Sequence, residues 1–352
     1  MGRAGAALII VVLVMMAIAA VAHGLLLLSQ FEYLAARAGL DQLGARLAAE
    51  AAVNTAFRAN VGPGSGPRRD STPLWQSADS VSGAVLAARY WRSTRRLSRE
   101  LWLIEGWGKR GQAAPAKASR PVWILDPVAR VAAMGAVLVH GEGSLAGVHG
   151  TIDGSRVNRS TTPEQPDFCE PWRAALDSLI PTGTLPPTGT EALVAVLALG
   201  PLDMDSLRAR MRSHAGETGT PAPRERGGVC VTEDMWNWGD PGRPKRPCGH
   251  HFVALFVDGD LATVGGTGQG LLVVSGDADL LDTQFNGLIM VGGRLTLRGV
   301  STVLGLVRSA GGASIETGAS IVGSTCWAAA ALESPDVARP VPIRGPRWLG
   351  PR

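Results

Sequence analysis

The chain has 352 residues, of which 45% are hydrophobic, 18% charged and only 5% aromatic, with a formal net charge of +4. That hydrophobic share excludes wholesale disorder, and glycine (45) with proline (23) stays below the ~25–30% of low-complexity chains. The small positive excess is spread along the chain apart from Arg92, Arg95, Arg96 and Arg99, which argues against the concentrated basic face of a nucleic-acid binder.

Ala4–Leu28 carries no charged residue. At 1.5 Å per residue it makes about 37 Å of helix, enough to cross a ~30 Å hydrocarbon core. Only Arg3 and the N-terminus precede it, so the positive-inside tendency keeps the N-terminus cytoplasmic and exports the rest. Ala20-Val21-Ala22 is also an A-x-A cleavage signal, although Leu25–Leu28 prolongs the apolar run beyond it. Retained anchor and cleaved signal both place residues from 30 onward outside the cytoplasm. The next thirty residues lack proline and are rich in Ala, Leu, Glu, Arg and Gln, all strong helix formers. Leu40, Leu43 and Leu47 make one apolar stripe. One helix is therefore expected from about Ala6 to Arg58, about 80 Å long, with GPGSGP at Gly62–Pro67 ending it.

Arg3, Gly5, Ala6, Ala7 and Leu8, then the apolar run, then Ala49-Glu50-Ala51-Ala52, carry a family resemblance. Residues 1–58 resemble the N-terminal segment of PilX-type minor pilins of type IV pilus systems, with R-x-G-A-A-L before the apolar run and A-E-A-A about forty residues later. The resemblance implies a pilin-like helix that packs on other pilin-like subunits or pilus assembly proteins. Cleavage after Gly5 would put Ile10 at the fifth position of the processed chain, where type IV pilins usually carry Glu.

Residues 59–83 read as a linker. In 84–127, ELWLIEGWG and RPVWILD read as two strands of a hairpin that roofs the open end of a β-solenoid. The solenoid is announced by a repeat: VALFVDG, GLLVVSG, GLIMVGG and GLVRSAG end at Gly259, Gly276, Gly293 and Gly311, spaced 17, 17 and 18 residues apart. A short strand, a glycine corner, a second strand and another corner use about that length, and only stacked coils bury the apolar face. Leu255, Val273, Ile289 and Val307 are expected in neighbouring coils, over 251–327. A further copy, GAVLVHG at 135–141, makes 128–157 the first coils. A β-sandwich is the competing architecture, normally with more variable spacing. Residues 158–250 then form a loop-rich insertion with helices at Trp172–Ile180 and Met204–His214, Asp203 capping the second. The Pro- and Arg-rich tail, 328–352, reads as flexible.

The four cysteines of an exported chain suggest two disulfides. Cys230 and Cys248 bracket a polar loop whose closure is worth roughly 3 kcal/mol, leaving Cys169 with Cys326 or free. Zinc held by Cys248, His250 and His251 is the alternative, weakened because neighbouring His residues on a strand point apart and no C-x-x-C is present. Trp236 and Trp238 in that loop are a possible recognition surface, or pack the loop onto the solenoid. Asp258, Asp260, Asp277, Asp279 and Asp282 beside corner glycines could form a glycosidase-like carboxylate cluster, but Asp suits such turns on local grounds alone. His140 and His149 read as surface or corner residues. The chain contains no G-x-S-x-G elbow, and GGTGQG at Gly265–Gly270 lacks the setting of a phosphate loop.

The expected fold class is α+β: a long N-terminal transmembrane and amphipathic helix, then a mainly-β, short right-handed β-solenoid with a loop-rich insertion. The expected function is that of a membrane-anchored, exported structural protein without catalytic residues, cofactor or metal. Its partners are the lipid bilayer and, as the resemblance implies, other pilin-like subunits of a type IV pilus or related secretion assembly, with no nucleic acid. It sits in the bacterial inner membrane as a single pass, N-terminus cytoplasmic, its bulk periplasmic or on the cell surface. The alternative is a membrane-anchored β-helical carbohydrate-binding or carbohydrate-cleaving protein.

Overall fold

The computed structural model describes residues 3–58, 76–81, 88–96, 100–111, 114–131, 134–140, 145, 148–154, 176, 188–191, 196–339 and 341–343. The GPGSGP segment, Cys169 and the expected helix Trp172–Ile180, apart from buried Leu176, lie outside them.

Helix α1 runs unbroken over Arg3–Arg58, as a proline-free stretch of strong helix formers allows. Its far half carries an antiparallel meander of β1 (Gln76–Val81), β2 (Ala88–Arg96), β3 (Leu101–Lys109) and β4 (Ala116–Trp123). Ala49 and Val53 of α1 close on Trp102, Ile104, Ala118 and Val122 of the sheet. Two expectations change here. The 84–127 strands do pair, but they pack on α1 rather than roofing the solenoid, because the even-numbered face of β3 offers the apolar and small residues that fit a helix. The supposed linker also contributes β1 to this sheet.

After β4 come α2 (Pro127–Val131), β5 (Val137–His140), β6 (Thr151–Asp153), β7 (Thr188–Glu191), α3 (Met204–Arg210), β8 (Arg212–Ala215), β9 (Thr218–Gly219), β10 (Glu225–Arg226) and β11 (Val229–Cys230). The repeat region then winds as β12 (Val253–Asp258), β13 (Leu261–Val264), β14 (Thr267–Val274), β15 (Ala278–Leu281), β16 (Gln284–Val291), β17 (Leu295–Arg298), β18 (Thr302–Ser309), β19 (Ala313–Ile315) and β20 (Ser320–Gly323). Even-numbered strands stack in parallel as one sheet and odd-numbered strands as another. This is a β-solenoid of about four turns behind an apolar helix. Its glycine column, Gly270, Gly287 and Gly305, sits in register mid-strand. Each has positive φ, and a Cβ at Gly287 would overlap the Gly270 carbonyl. No other residue serves there.

Three details differ from the sequence reading. Leu255 stacks on Leu272, Ile289 and Val307, while Val273 stacks on Phe256 and Met290. Leu255, Ile289 and Val307 share one column as expected, and only Val273 was one residue out, which puts it on the opposite face. Both faces of this sheet are apolar because the inner one fills the solenoid and the outer one is covered by α4 (Thr325–Leu332), every residue of which is buried. The GLLVV-type runs accordingly do not alternate, whereas β13, β15 and β17 alternate buried and half-exposed residues. Secondly, the upstream copy does not begin the solenoid. β5 pairs with β18, and β6 with β20, so these segments extend its C-terminal end. Its N-terminal end is β8 and β9, inside the supposed insertion. There α3, capped by Asp203 accepting from Ser206 N at 2.8 Å, stops at Arg210 rather than His214.

Thirdly, the first part of the tail, 328–339, is folded. After α4 come α5 (Pro335–Ala338) and β21 (Val341–Pro342), which pairs with β4 and completes the sheet on α1. Glu100 anchors the same junction: it accepts from Trp123 Nε1 at 3.0 Å and Arg130 Nε at 2.7 Å, and Arg130 stacks over Trp123. The chain thus enters and leaves the solenoid through one joint.

Candidate functional site

Along α1, two faces have different fates. Ala45, Ala48, Ala49, Ala52 and Val53 are buried against β3, at the spacing of one helical face. The close approach is set by glycine. A Cβ at Gly106 would lie 2.5 Å from the Ala49 carbonyl oxygen, and one at Gly108 would lie 2.7 Å from Ala48 Cβ. Arg110 adds an ion pair to Asp41 at 3.3 Å, its side chain lying over Gly44. The other face holds Leu40, Leu43 and Leu47, which are 58%, 52% and 43% exposed. Sequence reading singled out this leucine face and missed the alanine face, whose signal is the small-residue spacing on α1 matched by Gly106 and Gly108 on β3. Nearer the N-terminus, α1 is long and apolar enough to cross a membrane, and from Val11 to Leu40 every side chain is exposed.

The polar loop is a second feature. Cys230 and Cys248 form a disulfide with Cα atoms 4.9 Å apart, so the Cys248 sulfur is not available to zinc and the three-ligand reading with His250 and His251 fails. Cys326 is also disulfide-bonded and buried. Trp238 is fully buried and Trp236 partly so; their rings stack 5.9 Å apart, and Trp238 meets Phe285 edge-on at 6.0 Å. Of the two roles considered for these rings, the geometry is that of packing onto the solenoid. Asn237 between them is buried and donates to the Val231 carbonyl at 2.7 Å. Burial, and then nearby Arg212, hold the His251 imidazole below its ordinary pKa.

On the outer face of the second sheet, Glu217, Thr218, Asp260, Asp277, Asp279 and Thr296 line an open depression of about 390 Å³. Its aspartates have structural partners. Asp260 accepts from Asp277 N at 2.8 Å and Asp277 from Arg294 N at 2.7 Å, one coil on. Asp279 takes both arms of Arg298 at 2.8 and 2.6 Å. At the next corner Asp282, with φ of 51°, accepts from Val300 N at 2.9 Å. The acidic corners thus stitch coil to coil. Asp258 pairs with Arg208. Among the described residues no group of three or more His, Cys, Asp or Glu side chains is arranged to hold a metal. His149 lies at a corner, its N–H donating to the Ile315 carbonyl at 2.7 Å, and His140 is exposed at the end of β5.

No known protein family matches the chain, and no curated protein matches it. Among solved structures, the competence-associated pilin ComZ from Thermus thermophilus is similar over 79% of this chain and 91% of its own, at 11% identity and a TM-score of 0.25. A score of that size does not establish a shared fold.

Proposed function

We propose that this protein is a membrane-anchored, non-catalytic structural subunit of the minor-pilin kind, which joins a type IV pilus or related assembly through α1 and displays the solenoid beyond the membrane. The observation that carries the reading is the division of α1: residues 11–28 are apolar and exposed, one face of its second half carries the antiparallel sheet, and the Leu40–Leu43–Leu47 face is left open. An apolar helical face in water is poorly stabilised, since helices are held mainly by packing of that face; a neighbouring pilin-like helix would cover it. Arg3 and the disulfide-bonded solenoid favour a cytoplasmic N-terminus with the bulk in an oxidising compartment, periplasmic or at the cell surface.

The test is the double substitution Leu43→Glu/Leu47→Glu in the full-length chain. It is expected to leave membrane insertion and the solenoid intact and to abolish co-purification with pilin-like subunits. Wild-type protein that associates with no such helix in membrane extracts would overturn the proposal and leave an anchored solenoid.

A further inference from the structure

At the N-terminal end of the solenoid the first turn is completed by a segment outside the repeat. β8 and β9 are each the last strand of their sheets. Alongside β14 lies the segment 221–251. Its backbone offers the acceptors that a preceding coil would offer: Pro221 O takes Thr267 N–H at 3.1 Å and Trp238 O takes Gln269 N–H at 2.6 Å. Gln269 Nε2 reaches the Gly249 and His251 carbonyls at 2.8 and 3.1 Å. The Trp236 ring lies over Gly219, and Trp238 seats over Gly268 against Phe285. Arg212 Nη1 of β8 donates to the Asp234 carbonyl at 3.4 Å.

Within itself the segment is held by turns and by side-chain bonds such as those of Asn237 Nδ2 to the Arg224 and Val231 carbonyls, with little sheet pairing. Between 224 and 246 it carries nine charged residues, and its apolar contact with the solenoid is made by Trp236 and Trp238. Its regular structure is a two-residue hairpin, β10–β11, turned by Gly227 and Gly228, both at positive φ. That hairpin ends at Cys230, whose bond to Cys248 closes the segment, with Asn237 Nδ2 reaching both sulfurs at 3.2 and 3.5 Å. Cys248 is fully buried while Cys230 is not, so a thiolate reaches the bond from the Cys230 side.

We propose that the Cys230–Cys248 bond is a redox latch on the segment that flanks β14: oxidised, it holds Trp238 in its seat; reduced, the segment swings off and the Thr267–Gln269 stretch of β14 is laid open. In reduction a dithiol attacks the Cys230–Cys248 bond through a mixed disulfide. It delivers two electrons and two protons, leaves two thiols on the chain and becomes a disulfide itself. The inference stands independently of the assembly reading.

Amide hydrogen exchange on the full-length chain in detergent tests it, with dithiothreitol as the reductant. The Thr267 and Gln269 amides, which donate into this segment, are expected to exchange at least tenfold faster on reduction, while Leu272 and Ile289, deeper in the coils, keep their protection. The variant Cys230→Ser/Cys248→Ser without reductant is expected to match, which separates this bond from that of Cys326. Trp238→Ala, with the disulfide intact, is expected to open the same two amides. Unchanged exchange at Thr267 and Gln269 on reduction, or equal acceleration through every coil, would overturn the proposal.

Discussion

In the head built on α1, the interface consists of Ala45, Ala48, Ala49 and Ala52 meeting Gly106 and Gly108; in the solenoid it consists of Leu255, Leu272, Ile289 and Val307 stacked coil on coil. The first gains its contacts by close backbone approach, the second by large apolar side chains. The difference explains which parts of the chain can be read. A repeat of about seventeen residues announces itself because each coil needs the same side chains at the same places. A small-residue face gives little hydrophobic signal, and it makes sense only beside the glycines of a strand much further along the chain, Gly106 and Gly108.

Substitutions can break the two regions separately. The largest effect is expected from Leu272→Ala in the solenoid interior, about 2–5 kcal/mol for a fully buried leucine, read as faster amide exchange in β12–β18 with the sheet on α1 spared. Gly108→Val should do the reverse. Its Cβ cannot coexist with Ala48, and overpacking costs about 1–3 kcal/mol or more; exchange in β2–β4 should rise while the coils stay protected. Asp203→Ala, which removes the cap of α3, should cost about 1 kcal/mol, confined to α3 and seen as faster exchange at Leu207.

Acid distinguishes the segment 221–251 from both regions. His251 titrates lower in the folded chain than in the unfolded one, because it is desolvated. The unfolded chain therefore takes up the proton first. The stability concerned is present above the ordinary histidine value of about 6.5 and is lost as pH falls below it. Exchange at Gln269, corrected for its intrinsic pH dependence, should be faster at pH 5 than at pH 7.5, and His251→Phe should flatten that difference.

The sequence also shows why some segments were misplaced. β8, Arg212–Ala215, is a polar edge strand following directly on α3, so its residues prolong a helical reading. GAVLVHG is a faithful copy of the repeat, but order along the chain does not dictate order in the stack: β5 joins beyond β18. The tail reads as loose from its prolines, yet Thr325–Leu332 is a buried helix because the outer face of the first sheet needs a cover. At the candidate site, the leucine stripe was legible as an apolar face, and its periodicity does not name a partner for it.

The proposed packing is tested most directly by placing a photoreactive phenylalanine analogue at position 43 and irradiating intact membranes of cells making the protein at its natural level. The account predicts a covalent adduct to the apolar-helix segment of a pilin-like subunit, lost when Leu40 and Leu47 on the same exposed face are replaced by Glu. A crosslink only within the same chain, or none to any such helix, would contradict it.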